Sequence, residues 1–170
     1  MHSLLKRGFW TLVSPGALAL LAACNYGLRG GGFPEHIDSI HIEAFENETV
    51  EFELGQQIFN AMADEVPSAL GVRVASRANA DAVLSGSIVS YDDVAQNFST
   101  TGNDIDVLQH QIRIAVNVRL LDVRENVILW EGRVDGTGQY SPDSEPEDEG
   151  RRIAIEQIVN DVIDGAQSQW

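Results

Sequence analysis

Cys24 is the single cysteine of the chain, and that count limits thiol chemistry at once. One sulfur can build neither an intramolecular disulfide nor a cysteine-based metal cluster. His36, His41 and His110 lie on or near strand-like segments with no partner four residues on, so neither a zinc site nor a general base is expected of them. Ser85 and Ser87 flank Gly86 inside a β-branched run, whereas a nucleophile elbow needs a glycine-flanked serine at a strand-to-helix turn. The acidic run from Asp143 to Glu149 lacks the Asp/Asn alternation around a central glycine that calcium loops use; it reads as a solvated loop leading into a helix. Neither catalysis nor a bound metal is expected.

What Cys24 can do follows from the residues before it. Lys6 and Arg7 precede the apolar runs Phe9 to Val13 and Ala17 to Ala23, which are separated by Ser14, Pro15 and Gly16; a charged segment followed by an apolar one is the pattern of an export signal. The apolar stretch is about 15 residues, short of the roughly 20 that a spanning helix needs. It ends Leu21, Ala22, Ala23, Cys24, which resembles a lipobox: small residues admit a signal peptidase, and the thiol carries a diacylglycerol through a thioether. Residues 1–23 are expected to be a removed signal peptide, 24–36 the lipidated N-terminus and tether, and 37–170 a single domain. A diacylglycerol plus an N-linked acyl chain on Cys24 exceeds the two chains that stable anchoring takes; no other cofactor is expected. Asn25, rather than Asp, resembles the sorting signal for the inner leaflet of the outer membrane.

Removing the leader takes away Lys6 and Arg7 and no acid, so nine basic and 26 acidic residues remain, a net charge of −17. Nucleic acid and anionic lipid surfaces both call for basic patches, so neither is an expected partner beyond the lipid anchor itself.

The elements follow from periodicity. Gly30, Gly31 and Gly32 mark the tether. Ile40, Ile42 and Ala44 alternate with His41, Glu43 and Phe45, which predicts a strand whose apolar face is on the even positions. Leu54, Ile58, Met62 and Val66 recur every four residues, the stripe of a helix that Pro67 is expected to stop. A brief strand near Val72 and Val74 and a longer one from Ala80 to Tyr91 come next. The clearest alternation places Ile112, Ile114, Val116, Val118 and Leu120 on one face, with Arg113, Asn117 and Arg119 on the other. A turn at Asp122 to Asn126 leads into a partner strand, with Ile128, Trp130 and Val134 inward and Arg133 outward. Ile155, Ile158, Val159, Val162 and Ala166 form a second helix stripe, with Glu147, Asp148 and Glu149 near its positive end. The expectation is an α+β two-layer sandwich, two helices packed on one face of a four- to five-stranded sheet. Arg113, Asn117, Arg119 and Arg133 then form a candidate partner face, joined by Phe98 in the polar segment Asn97 to Asn103, read as a loop tip.

Cys24, Asn25, Tyr26, Gly27, Leu28, Arg29 and Gly30 resemble the Cys-Gly-Tyr/Trp-x-Leu-Arg opening of the LptE family of lipopolysaccharide-assembly lipoproteins. Ile40 to Phe45 with Asn47, then Ala80 to Gly86, the long alternating strand, and Leu129, Trp130, Glu131 fall in that family's order, over nearly the whole mature chain. The resemblance implies a non-catalytic lipoprotein that plugs and helps assemble the outer-membrane barrel LptD for lipopolysaccharide insertion. One departure concerns lipopolysaccharide as a direct partner. The family's basic lipid-contacting loops are matched here by Phe98 to Gly102, without Lys or Arg, and by a loop that is acidic until Arg151 and Arg152. A second resemblance, of Ile40 to Thr49 to an I-x-x-F-x-N-x-T strand, implies instead a periplasm-facing lipoprotein regulating a peptidoglycan synthase or secretion-pore complex. The tether, about ten residues and at most about 35 Å long, favours a partner at the membrane.

Overall fold

The computed structural model describes residues 33–101 and 104–168, with the backbone alone from 97 to 108. Cys24, the lipobox residues Leu21, Ala22 and Ala23, and the tether to residue 32 lie outside the described residues. Along the chain come β1 (Ser39–Ile42), β2 (Glu46–Asn47), α1 (Leu54–Leu70), β3 (Arg73–Val74), a 3-10 turn at Arg77–Asn79, β4 (Ala82–Thr101), β5 (Asp104–Asp122), β6 (Val127–Tyr140) and α2 (Glu147–Gln167). The strands form one six-stranded mixed sheet in the order β3-β1-β4-β5-β6, with β2 also on β4. This is the α+β sandwich that two apolar helix stripes require, since each can be buried only against the same sheet face.

α1 buries Leu54, Ile58, Met62 and Val66, the residues of its four-residue repeat. Pro67 does not stop it. The helix runs a further turn to Leu70, because Val66, Pro67 and Leu70 are themselves buried against the core and only one intrahelical donor is missing. Termination falls to Gly71, whose φ of 71° is left-handed; its N–H donates to the Ser68 carbonyl and that of Val72 to the Pro67 carbonyl.

Two bulges correct the alternation read from sequence. Ile42 pairs with Leu84 and Glu46 with Ser87, so three intervening residues oppose two, and the side-chain parity inverts in between. Phe45 is therefore buried and Ala44 exposed. In β6, Trp130 pairs with Leu120 but Ile128 with Leu121, leaving Leu129 as the extra residue. Leu129 is buried and Ile128 half-exposed, the reverse of the expected parity, while Trp130 packs against the core and Val134 lies within it.

β4 and β5 are 20 and 19 residues long. β2 ends opposite Ile88 and β6 ends at Tyr140 opposite His110, so the remaining part of β4 and β5 continues as a two-stranded ribbon to the pair Thr101 and Asp104. Phe98, read as part of a loop tip, is on this ribbon with its backbone paired to Val107. Polar composition misled here: threonine is a good strand former, and hydrophilicity is only a correlate of loops.

α2 packs on β6 through missing side chains. Gly136 and Gly138 face the helix, and a Cβ on either would collide with the backbone carbonyl oxygens of Ala154 and Gly150. At the edge, the Thr137 N–H and hydroxyl both donate to Gln157 Oε1, which caps a donor that an unpaired strand would otherwise expose.

Candidate partner-binding face

The sheet surface opposite the helices is built from rows fixed by register. Ser85, Arg119 and Glu131 form one row across β4, β5 and β6; Ser87, Asn117 and Arg133 form the next. All six side chains point away from the core because their chain neighbours Leu84, Ile88, Val116, Val118 and Leu120 point into it. Together with Glu43, Ala44 and Glu46 they line an open groove of about 610 Å³. Gly86 and Gly132 lie between the rows and also line it.

The arginines are held loosely. Arg119 pairs with Glu131 at 3.0 Å, both about half exposed, and Arg133 with Asp135 at 3.1 Å. Arg113 donates twice to Gln111 Oε1, at 3.0 and 2.8 Å. Exposed pairs of this kind contribute about 0–1 kcal/mol each, so these groups can exchange partners at little cost. The structure thus brings Asn117, Arg119 and Arg133 into one face with Arg113 further along β5; the side chain of Phe98 lies outside the described residues. Ala115 shares their parity but is buried, beside the β4 bulge at Val89.

Each described histidine has a local partner. His41 Nδ1 lies 3.1 Å from the Ala75 carbonyl oxygen, and His110 Nδ1 2.7 Å from Asp93 Oδ1. His36 Nε2 is 2.5 Å from Asp122 Oδ2, while Asp122 Oδ1 accepts the N–H groups of Arg124 and Glu125. The hydrogen bond to Asp122 holds His36 above its ordinary pKa. Burial pushes the Asp122 carboxyl up, but the bonds from His36 and the turn outweigh it, and the net shift is downward. His36, Asp122 and Glu125 are the one potential metal-ligand group among the described residues; the hydrogen bonds of Asp122 to His36 and to the N–H groups of Arg124 and Glu125 fasten residue 36 to the β5–β6 turn.

At the start of α2 a polar network closes the end of the core. Tyr91 and Arg151 both donate to Glu147 Oε1, at 2.5 and 2.7 Å, and Tyr140 donates to Asp93 Oδ2 at 2.7 Å. The Tyr91 hydroxyl, followed by Arg151, holds the Glu147 carboxyl below its usual range, and burial, with Asp93 beside it, pushes Tyr140 up to about 12. Arg151 is buried, and Arg152 is bound by Glu149 and Glu156. Sequence reading missed this role for Arg151: nothing in two adjacent arginines at an acidic helix start shows which of them is buried. Among the described residues, no helix is long and apolar enough to cross a membrane.

The sequence model of the LptE family, described as lipopolysaccharide-assembly, matches residues 37–167. No curated protein matches the chain. Among solved structures, the chain is similar to the Chlamydia trachomatis protein CT253, with a TM-score of 0.56 and 10% identity over 77% of this chain and 96% of that one. It is also similar to the PelC dodecamer protein of Paraburkholderia phytofirmans, with a TM-score of 0.51 and 19% identity over 76% and 91%. A third likeness is to the Xanthomonas campestris protein XCC0632, with a TM-score of 0.51 and 9% identity over 81% and 91%. At such identities these likenesses show a shared fold.

Proposed function

The chain belongs to the LptE family of lipopolysaccharide-assembly proteins, and from that premise we propose that it works by binding rather than catalysis, as a plug and assembly partner of the outer-membrane barrel LptD. Cys24 would carry the diacylglycerol and N-acyl chain, placing the protein on the inner leaflet of the outer membrane.

The observation that supports this reading is the division of the sheet into two unlike faces. One is covered by both helices. The other carries the rows Ser85–Arg119–Glu131 and Ser87–Asn117–Arg133 with no element of the described chain over it. Polar side chains on a stiff sheet suit the polar interior wall of a transmembrane barrel, where they can hydrogen-bond without deforming the fold. Direct capture of lipid A by the two family loops is not part of the proposal, since Arg151 and Arg152 are already engaged by acidic neighbours.

The test is the double variant Arg113→Glu with Arg119→Glu in the full lipidated protein. Its melting temperature should stay close to that of the original, because surface changes usually fall within about 0.5 kcal/mol, while co-purification of the barrel drops. Wild-type recovery of the barrel would discard this face as the contact. Capture of a peptidoglycan synthase in place of a barrel would favour the regulatory role instead.

A further inference from the structure

The segment between β2 and α1 is ordered by side chains that the docking face does not use. Asn47 Nδ2 donates to the Glu51 carbonyl oxygen at 2.7 Å, and Asn47 Oδ1 accepts from the Thr49 N–H at 3.0 Å and from its hydroxyl at 2.7 Å. The Glu51 N–H donates to the Thr49 hydroxyl at 3.2 Å. Both ends are also tied: the Glu48 N–H donates to the Ile88 carbonyl and that of Leu54 to the Glu51 carbonyl. Behind the loop, Phe45 is buried over Gly86.

This fixed loop holds two apolar side chains out of the protein. Val50 is 81% exposed and Phe52 93%, the largest values among the large apolar residues described. A disordered loop could fold such residues back on the core; this one is hydrogen-bonded into a shape that prevents it. An aromatic ring presented on a rigid support loses little conformational freedom on binding, which is the property of an interface anchor.

The surrounding charge selects the occupant. Glu46, Glu48, Glu51 and Glu53 interleave with Val50 and Phe52, and no basic residue occurs from 46 to 53. Arg151 approaches Glu51 at 3.9 Å but is already bound to Glu147. A phospholipid surface would accept the apolar groups and repel the carboxylates. A protein pocket with an apolar floor and a lysine or arginine rim satisfies both. Glu46 is moreover a wall of the outer-face groove, so the loop continues the surface proposed for docking.

We propose that Val50 and Phe52 form an anchor that enters an apolar pocket with a basic rim on the protein that covers the outer sheet face. The proposal rests on the barrel-docking reading and adds a second contact to it.

The experiment places a benzophenone amino acid at position 52 of the full lipidated protein and, in a separate strain, at position 119. Cross-links from both positions to the same barrel are expected. A cross-link from 119 without one from 52 overturns the anchor and leaves the docking reading standing, and absence of both overturns the two together. Label transferred from 52 into phospholipid overturns the anchor in favour of membrane contact. In parallel, Val50→Ser with Phe52→Ser should melt like the original and lose about tenfold in barrel recovery, in keeping with loss of an aromatic hot spot; full recovery from that folded variant also overturns the proposal.

Discussion

The two faces of β6 are separated by one residue along the chain and differ in nearly everything else. Inward are Val134, Gly136, Gly138 and Tyr140; outward are Arg133, Asp135, Thr137 and Gln139. On the inward side the backbone of α2 lies so close that a single methyl group has no room. Across the outward side, ion pairs lie on the surface with about half their area in water. The strand teaches where change is tolerated: the inward face has no room for added atoms, whereas the outward face can change its side chains without disturbing the packing.

The largest effect should come from putting a charge into the inward layer. Ile158 is fully buried under β6, and Ile158→Asp leaves a carboxylate with neither water nor a partner; a loss of about 4 kcal/mol or more is expected, seen as absence of a cooperative unfolding transition. A transition within a degree or two of the original would break the comparison.

Gly138→Ala comes next. Its added methyl meets backbone of α2 rather than a side chain that could swing away, so overpacking should cost about 1–3 kcal/mol in urea unfolding. Indifference to this change would mean that the helix can lift from the strand.

The His36–Asp122 pair joins the N-terminal segment to the β5–β6 turn, and its effect depends on pH. His36 is raised from 6.5 in the folded state, so its contribution is complete below about 6.5 and is lost as pH rises through the higher folded value. Asp122 is lowered from 3.8, so its contribution is present above that value and lost as pH falls through the folded one. Between about 4 and 6.5 both hold. Asp122 and Glu125 favour the charged imidazole and Arg124 opposes it. Melting temperature should fall from pH 6 to pH 9 more in the original than in His36→Asn; parallel curves would remove the pair from the account.

The smallest effect on stability belongs to Arg113→Glu with Arg119→Glu, although it should have the larger effect on partner recovery. That dissociation between folding and binding is what sharpens the contrast between the two faces.

Much of this was legible without coordinates because some signals are local. Both helix stripes, the hairpin, the parity of β5 and the acidic first turn of α2 depend on periodicity and composition within a few turns, and the resemblance to the LptE family rested on short motifs in order. The outward placement of Arg113, Asn117 and Arg119 followed directly from a side-chain period of two.

Other features needed the partner strand or the opposing layer. A bulge is an extra residue relative to a neighbour, so neither the inversion that buries Phe45 nor the one that buries Leu129 can be read from one strand's own pattern. Pro67 stays helical, and Arg151 is buried, because of what packs against them. The rigid display of Phe52 depends on where the Asn47 side chain can reach. Sequence by itself determined both helices with their buried stripes and the parity of β5, since those come from covalent geometry and local spacing. Register, bulges and the close approach of α2 to β6 were decided only in the tertiary structure, where residues far apart in the chain must share one volume.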